Sequence, residues 1–436
     1  MNKKSLYPIL VLFFCSTLLA QTPPPPAPSS PTQLTLHDAE QLALRNNPQI
    51  SVARLLTFAQ HQVVRETRSA ELPVATGNLT AADARVGTRL TAGALNNSSV
   101  FERAAAGITI GQLITDFGRT RNLVASEDLR EQAQKQNELA TSADIILATD
   151  QAFYTALASQ AQLTVAQQTV DTRQTTADQI QALTTAKLRS DLDLSFANVN
   201  LAQAKLLLLD AQNRKDAAFT GLNEIFGFEK QTTYLLIDES NKPLTAPPGN
   251  EEDLVQDAFR SRPDLAAIDD DWQAAQRFAQ AEHDLNRPTI SALATGGGTP
   301  VRADQIVTPW YGAAGVNMSI PIFNGFLFSS RAHEADYRAS AVQQQERDLR
   351  DKIARDVRVT WLQSNTAYQR VSVTAQLLQQ ANLALDLAQT RYKLGLSSIV
   401  ELSQAQLQQT DAQIGNTNAR YEYLSTLSAL NFQIGR

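Results

Sequence analysis

The chain has 436 residues, a net charge of -6, 43% hydrophobic but only 6% aromatic residues, and one cysteine. The acidic balance leaves no basic footprint for nucleic acid, and one cysteine excludes an internal disulfide framework. Few aromatics with abundant Ala and Gln favour thin, closely packed helices over a bulky globular interior.

In chain order, Lys3 and Lys4 followed by an apolar stretch from Leu6 to Leu19 and then Ala20 predict a secretory leader over residues 1–20. The stretch is too short and wrongly flanked for a spanning helix. Cys15 falls inside it, and Phe13 and Phe14 are the wrong shape for a lipoprotein site. The proline-rich residues 21–33 read as an extended tether.

Thr35 and Asp38 have capping-box spacing ahead of a helix carrying Ala39, Leu42 and Ala43, which stops at Asn46, Asn47 and Pro48. Pro48 suits the first turn of a second helix reaching about Glu71, before Pro73. The period then changes to two, and a β-hairpin is predicted over about 72–115, with Ala106, Ile108, Ile110 and Ile114 on one face and Gly107, Thr109 and Gly111 on the other. From Arg119 to Thr220 neither Gly nor Pro occurs. A helix over Arg119 to Ala182, at ~1.5 Å per residue, would extend roughly 95 Å, which implies a coiled coil or a tube. A break at Ser190 to Asp193 leads into a return helix ending near Phe226, and 228–249 is a non-periodic connector.

The second half repeats this order. Asn250 can cap Glu251 to Ser261, Pro263 opens a helix to about Asn286, and strands are predicted over about 289–322. Trp310, Gly312, Ala314, Val316 and Met318 alternate with Tyr311, Ala313, Gly315, Asn317 and Ser319. In the long run that follows, Leu377, Ala381, Ala384 and Ala388 form one seam and Leu378 with Leu385 another, so the helix needs a neighbour on each side. The break at Gly395 to Ser398 reads as two residues longer than the first. Pro48 and Pro73 answer to Pro263 and Pro288 at an offset of 215, and Leu222 and Gly227 to Leu430 and Gly435 at 208. Two structural repeats, 34–227 and 250–436, are therefore expected, too long for solenoid units.

Strands cross a lipid bilayer only as a closed barrel, and four strands of about ten residues cannot close one. Either several protomers share a barrel, or the strands form a soluble sheet packed on helices. Trp310 and Tyr311 at one end, Phe323, Phe326 and Phe328 past the other, and Phe117 at the first strand-to-helix junction would suit an interfacial girdle.

The chain from about Leu34 to Arg436 resembles the TolC-like outer membrane efflux proteins, or outer membrane factors. The resemblance rests on Leu34-Thr-Leu-His-Asp-Ala-Glu-Gln-Leu-Ala-Leu-Arg-Asn-Asn-Pro48, Ile320-Pro-Ile-Phe-Asn-Gly325, Arg391-Tyr-Lys-Leu-Gly395 with Ile399-Val-Glu-Leu402, and Asn418-Ala-Arg-Tyr421. It implies a mainly α chain with a small membrane β part. In that architecture a homotrimer shares a 12-stranded barrel, four strands per chain, continued by a long periplasmic α-helical barrel. Implied partners are a periplasmic adaptor, an inner-membrane pump of RND or ABC type and outer membrane lipid, with passive passage and no cofactor. The resemblance matches Glu401 to an acidic residue at the periplasmic tip, where three copies would make an anionic ring; Gln404 stands where a second acid is usual. Asp193 and Tyr392 match a pair that holds the entrance shut, and Ser397 replaces the arginine of that latch.

Other singletons read as structural. His37, His61, His283 and His333 lack metal-ligand spacing, Asp269, Asp270 and Asp271 suit a solvated helix face, and Gly296 to Gly298 lack a phosphate-loop context. No nucleophile, base and orienter set suggests an enzyme. A soluble periplasmic coiled-coil adaptor is the competing reading, and it expects a lipoyl-like or barrel domain between the halves of a single long hairpin.

Overall fold

A computed structural model describes residues 32–83, 89–92, 96–99, 103–229, 232, 234–238, 244–301 and 308–436. The expected leader, Cys15 and all but the end of the tether lie outside them.

Strand β1 (Thr32–Leu34) enters helix α1 (Leu36–Asn46), and Asn47 links it to α2 (Pro48–Arg68). The predicted capping box is present: Asp38 N donates to Thr35 Oγ1 at 3.2 Å, and Thr35 N donates back to Asp38 Oδ2 at 3.3 Å. Pro48 occupies the first turn of α2, where its missing N–H costs nothing. Strand β2 (Val74–Ala82), a small pair β3 (Arg89–Ala92) and β4 (Asn96–Ser99), and β5 (Arg103–Thr115) follow. The extra pair sits within the first hairpin, where the seven-residue difference in offset arises. Helices α3 (Arg119–Thr185) and α4 (Asp191–Ile225) make the first long hairpin, and β6 (Tyr234–Leu236) lies in the connector.

Helices α5 (Glu251–Ser261) and α6 (Pro263–His283), strands β7 (Thr289–Val301) and β8 (Trp310–Ser319), and helices α7 (Leu327–Lys393) and α8 (Ile399–Gln433) form the second half. Helices α3 and α7 each have 67 residues, and α4 and α8 each have 35. At ~1.5 Å per residue the longer pair spans roughly 100 Å. Both turns run for the same length, from Thr185 to Asp191 and from Lys393 to Ile399, so the second is not the longer one. Lys187 in the first turn takes a left-handed φ of 57° where the second uses Gly395 at 75°.

The four main strands form one antiparallel sheet in the order β2-β5-β7-β8, so the two hairpins join through β5 and β7. Among the described residues, strands β2 and β8 are left as open edges. The registers put Leu79, Ile108, Ile110, Trp310, Val316 and Met318 on one face, each at least 44% exposed. Asn78, Thr76, Thr109, Thr295, Ser291 and Asn317 lie on the other, together with Val74, Leu113 and Leu293 towards the helices.

Burial concentrates in three places along the helices. At the first joint, Ala39 and Ala43 of α1 pack with Phe153 of α3, Leu222 of α4, Phe226 and Tyr234. The second joint gathers Leu254, Ala258, Ile353, Leu430 and Ile434. Leu222 and Leu430, and likewise Phe226 and Ile434, are wholly buried at matching positions of the two halves, each worth ~1.5–3 kcal/mol relative to exposure. The parallel pairing of β1 with β6 draws Thr32 to Leu34 onto the connector. The third cluster is at the turns.

Asp150 of α3 lies at the first joint, 8% exposed, with Oδ1 unpartnered among the described residues. Burial pushes its carboxyl up to about 6, and Glu40 of α1 adds to this by charge and by a shared hydrogen bond, against Ser428 of α8. Tyr154 beside it is pushed up to about 12, first by burial and then by Asp150 and Glu40. A raised folded-state acid binds more protons than the unfolded chain, so its contribution to stability is full below the ordinary carboxylate range and falls as pH rises towards about 6. The thermal midpoint of Asp150→Asn, measured by helical circular dichroism, should gain on the wild type as pH rises from 4 to 7; a constant difference between the two would exclude this role.

Candidate functional site

The two turns share a cap chemistry that fixes where their acids point. Ser190 opens α4 and accepts from Asp193 N at 3.1 Å, and Ser190 N donates to Asp193 Oδ2 at 3.4 Å. Ser398 opens α8 and accepts from Glu401 N at 3.3 Å. Asp193 and Glu401 thus occupy the same helical position in the two turns. Their carboxylates differ in use: Asp193 closes a capping box, whereas Glu401 reaches Arg391 Nε at 3.1 Å across its own hairpin. That pair is half exposed, so it holds orientation more than stability.

Tyr392, near the end of α7, is 7% exposed and packs with Ala177, Ile180, Ala197 and Leu201 of the first hairpin and Ile399, Leu402 and Ala405 of the second. Burial raises its phenol, and Asp193 raises it further against Arg189. The hydroxyl is buried without a hydrogen-bond partner among the described residues, and so is Ser397 Oγ. What reaches Tyr392 is Arg189 of the first turn, whose guanidinium lies 4.4 Å from the ring centroid while Nη2 donates to the Tyr392 carbonyl at 2.9 Å. Ser397 is the position equivalent to Arg189, so the arginine absent from the second turn is present on the first. Gln404 is exposed on the first turns of α8.

Above the tip the hairpins are tied again. Asn200 Nδ2 donates to Ser403 Oγ at 2.7 Å. Arg173 of α3, 7% exposed, donates to Gln406 Oε1 of α8, and burial brings its guanidinium down to about 10. No carboxylate pairs with Arg173 among the described residues. Sequence reading missed both arginines; aligning the two halves at the 208 offset would have exposed Arg189 as the counterpart of Ser397.

The aromatic set lies at the two ends of the sheet. Trp310 and Tyr311 begin β8, at 67% and 39% exposure. Phe323 and Phe326 follow its other end and meet edge to face at 5.8 Å, with Phe328 half-buried on α7. Phe117 and Phe326 both take left-handed backbone, φ 55° and 67°, each beside a left-handed glycine, Gly118 or Gly325. The chain turns from strand to helix at these two points.

Two long helical hairpins thus hang from a small sheet and are tied to each other at their far turns. Residues 39–227 and 254–436 match the family model described as outer membrane efflux protein, and the chain belongs to that family. It is similar to outer membrane protein TolC of Vibrio cholerae serotype O1, with 24% identity over 423 residues covering 90% of this chain and 89% of that protein. TolC of Escherichia coli K12 is 26% identical over 126 residues, 27% of this chain and 26% of its own. Among solved structures, CusC superposes with a TM-score of 0.79 at 16% identity, covering 92% of each chain. The CmeC outer membrane channel of Campylobacter jejuni gives 0.78 at 16% identity, over 92% of this chain and 85% of that one. The fold is therefore the TolC-like one, and the protein is an outer membrane transport protein with a large periplasmic helical part. The adaptor reading loses its support, since it expected a single long hairpin with a lipoyl-like or barrel domain between its halves, whereas the chain has two long hairpins, each preceded by its own strands.

Proposed function

We propose that the chain is the exit duct of a tripartite efflux or type I secretion system, a passive conduit from periplasm to exterior whose periplasmic end is gated. The observation that carries this is the four-stranded sheet with two unpaired edges and one exposed apolar face, above helices of 67 residues. In lipid every backbone polar group needs a partner, so β2 and β8 must meet the edges of other copies. Three copies give twelve strands, and the repeats 34–227 and 250–436 give six similar units round one axis. Among the described residues no helix is long and apolar enough to cross a membrane. An RND or ABC pump and a periplasmic adaptor complete the pathway, and Trp310, Tyr311, Phe323, Phe326, Phe328 and Phe117 sit at the lipid interfaces.

At the tip, Tyr392 and Arg189 hold the two hairpins of a protomer together, with Asp193 and Ser397 in the same packed turn region. Glu401 faces the entrance on the first turn of α8, where Gln404 leaves a single ring of acids. The test is reconstitution in planar bilayers. Channels should form, and a divalent cation added on the periplasmic side should block them. Glu401→Gln should weaken that block several-fold, because three clustered carboxylates attract a cation that three amides do not. Unchanged block would remove Glu401 from the entrance.

A further inference from the structure

The row Asn78, Gly107, Gly297 and Tyr311 crosses all four strands on the face of the sheet opposite Leu79 and Trp310. Tyr311 is the only aromatic that the described strands place on this face. Its side chain does not stand off the sheet but lies along it, from β8 across β7 to β5. A Cβ built on Gly107 would fall on Tyr311 Oη and lie 3.0 Å from Cζ, and one on Gly297 would lie 2.6 Å from Oη. The overlap with Oη at Gly107 and the 2.6 Å approach at Gly297 are closer than real side chains tolerate, and a Cβ on Gly297 would also meet backbone, 2.4 Å from Ala106 O. Strands are ~4.8 Å apart, so a tyrosine laid across them reaches the second neighbour only if nothing projects from the intervening positions. The two glycines supply that bare strip. With it filled, the ring must leave by rotating about χ1, which lifts it away from the sheet.

The neighbouring row on this face carries short side chains: Thr109 Oγ1 and Thr295 Oγ1 lie 3.3 Å apart. Tyr311 also stands at the end of β8 remote from α7, the end that faces away from the helices.

We propose that the bare strip at Gly107 and Gly297, by letting the Tyr311 ring lie against the wall, keeps the duct's outer mouth wide and so sets the size of cargo that can leave. This rests on the duct reading, in which the face carrying Tyr311 lines the lumen and three copies of Tyr311 surround one opening. Gly107 keeps the mouth wide by giving the ring somewhere to lie; it is a positioning residue, and Tyr311 is the group that cargo meets.

The experiment uses the full-length protein in planar bilayers, with polyethylene glycols of graded size added on the mouth side alone, so that the mouth and not the tip is sized. Gly107→Ala should lower the largest polymer admitted, and Gly107→Ala combined with Tyr311→Ala should restore it. Tyr311→Ala alone should leave the limit close to wild type, since a ring lying on the wall obstructs little. An unchanged limit in Gly107→Ala would overturn the proposal. So would a reduced limit that Tyr311→Ala fails to restore, which would make the glycine a matter of strand approach only, or a large widening in Tyr311→Ala alone. A wild type that forms no channel would overturn the duct reading itself and this proposal with it, whereas a conducting wild type with any of the other results overturns the proposal alone.

Discussion

Arg189→Ala should open the periplasmic end: in planar bilayers its single-channel conductance should exceed that of the wild type, and cells relying on it should become sensitive to large antibiotics normally kept out. The side chain is the direct polar link from the first turn to Tyr392, combining a stack at 4.4 Å with a hydrogen bond at 2.9 Å. Such a stack is worth ~0.5–2 kcal/mol and a charged hydrogen bond somewhat more. Allowing for the exposure of the loop, about 2 kcal/mol lost per copy shifts a closed-to-open equilibrium ~30-fold in favour of opening. The companion variant separates the account from a simpler one. Tyr392→Phe removes a hydroxyl that is already buried without a partner, so it should leave the entrance closed and the fold no less stable. If Tyr392→Phe opened the channel as far as Arg189→Ala, the hydroxyl rather than the guanidinium would be the tie.

The largest loss of stability should come from Gly227→Ala and Gly435→Ala. These residues end the two return helices at φ 70° and 74°, a conformation that costs an L-residue ~1–2 kcal/mol. They also abut backbone. A Cβ on Gly227 would lie 2.8 Å from Asn46 O, and one on Gly435 would lie 2.8 Å from Ser261 C, at the joints between α1 and α2 and between α5 and α6. One added methyl must therefore displace a helix joint next to Leu222 or Leu430, and the total should reach several kcal/mol. Gly249→Ala is the control, having φ 64° but open space around its Cβ, so it should show the conformational cost alone. Thermal unfolding followed by the helical signal ranks the three. Equal midpoints for all of them would mean that the joints tolerate a methyl group.

Much of this architecture could be read from sequence because it depends on local chemistry. Proline at the first turn of a helix, Ser or Thr three residues ahead of an acid, and a hundred residues without Gly or Pro act within one element, and α1, α2, α3 and α7 begin or run accordingly. The features that escaped depend on contacts between distant elements. Alternation revealed strands but not their neighbours, so the order β2-β5-β7-β8 had to come from the fold. Strand β6 is three residues within a non-periodic connector, too short for a pattern, yet Tyr234 and Leu236 are buried through pairing with β1. At the tip the resemblance directed attention to Ser397 and so to a missing arginine. Arg189 reaches Tyr392 from the opposite hairpin, a contact between positions some two hundred residues apart. The resemblance matched Glu401 to an acid of the tip ring, and its pairing with Arg391 depends on how the two helices of one hairpin face each other.

The central claim is that an open four-stranded sheet is one third of a barrel. Cell fractionation followed by mass determination of the detergent-extracted protein tests it most directly. The account predicts outer-membrane recovery and a particle of three chains. A stable soluble monomer, with β2 and β8 still unpaired, would contradict it.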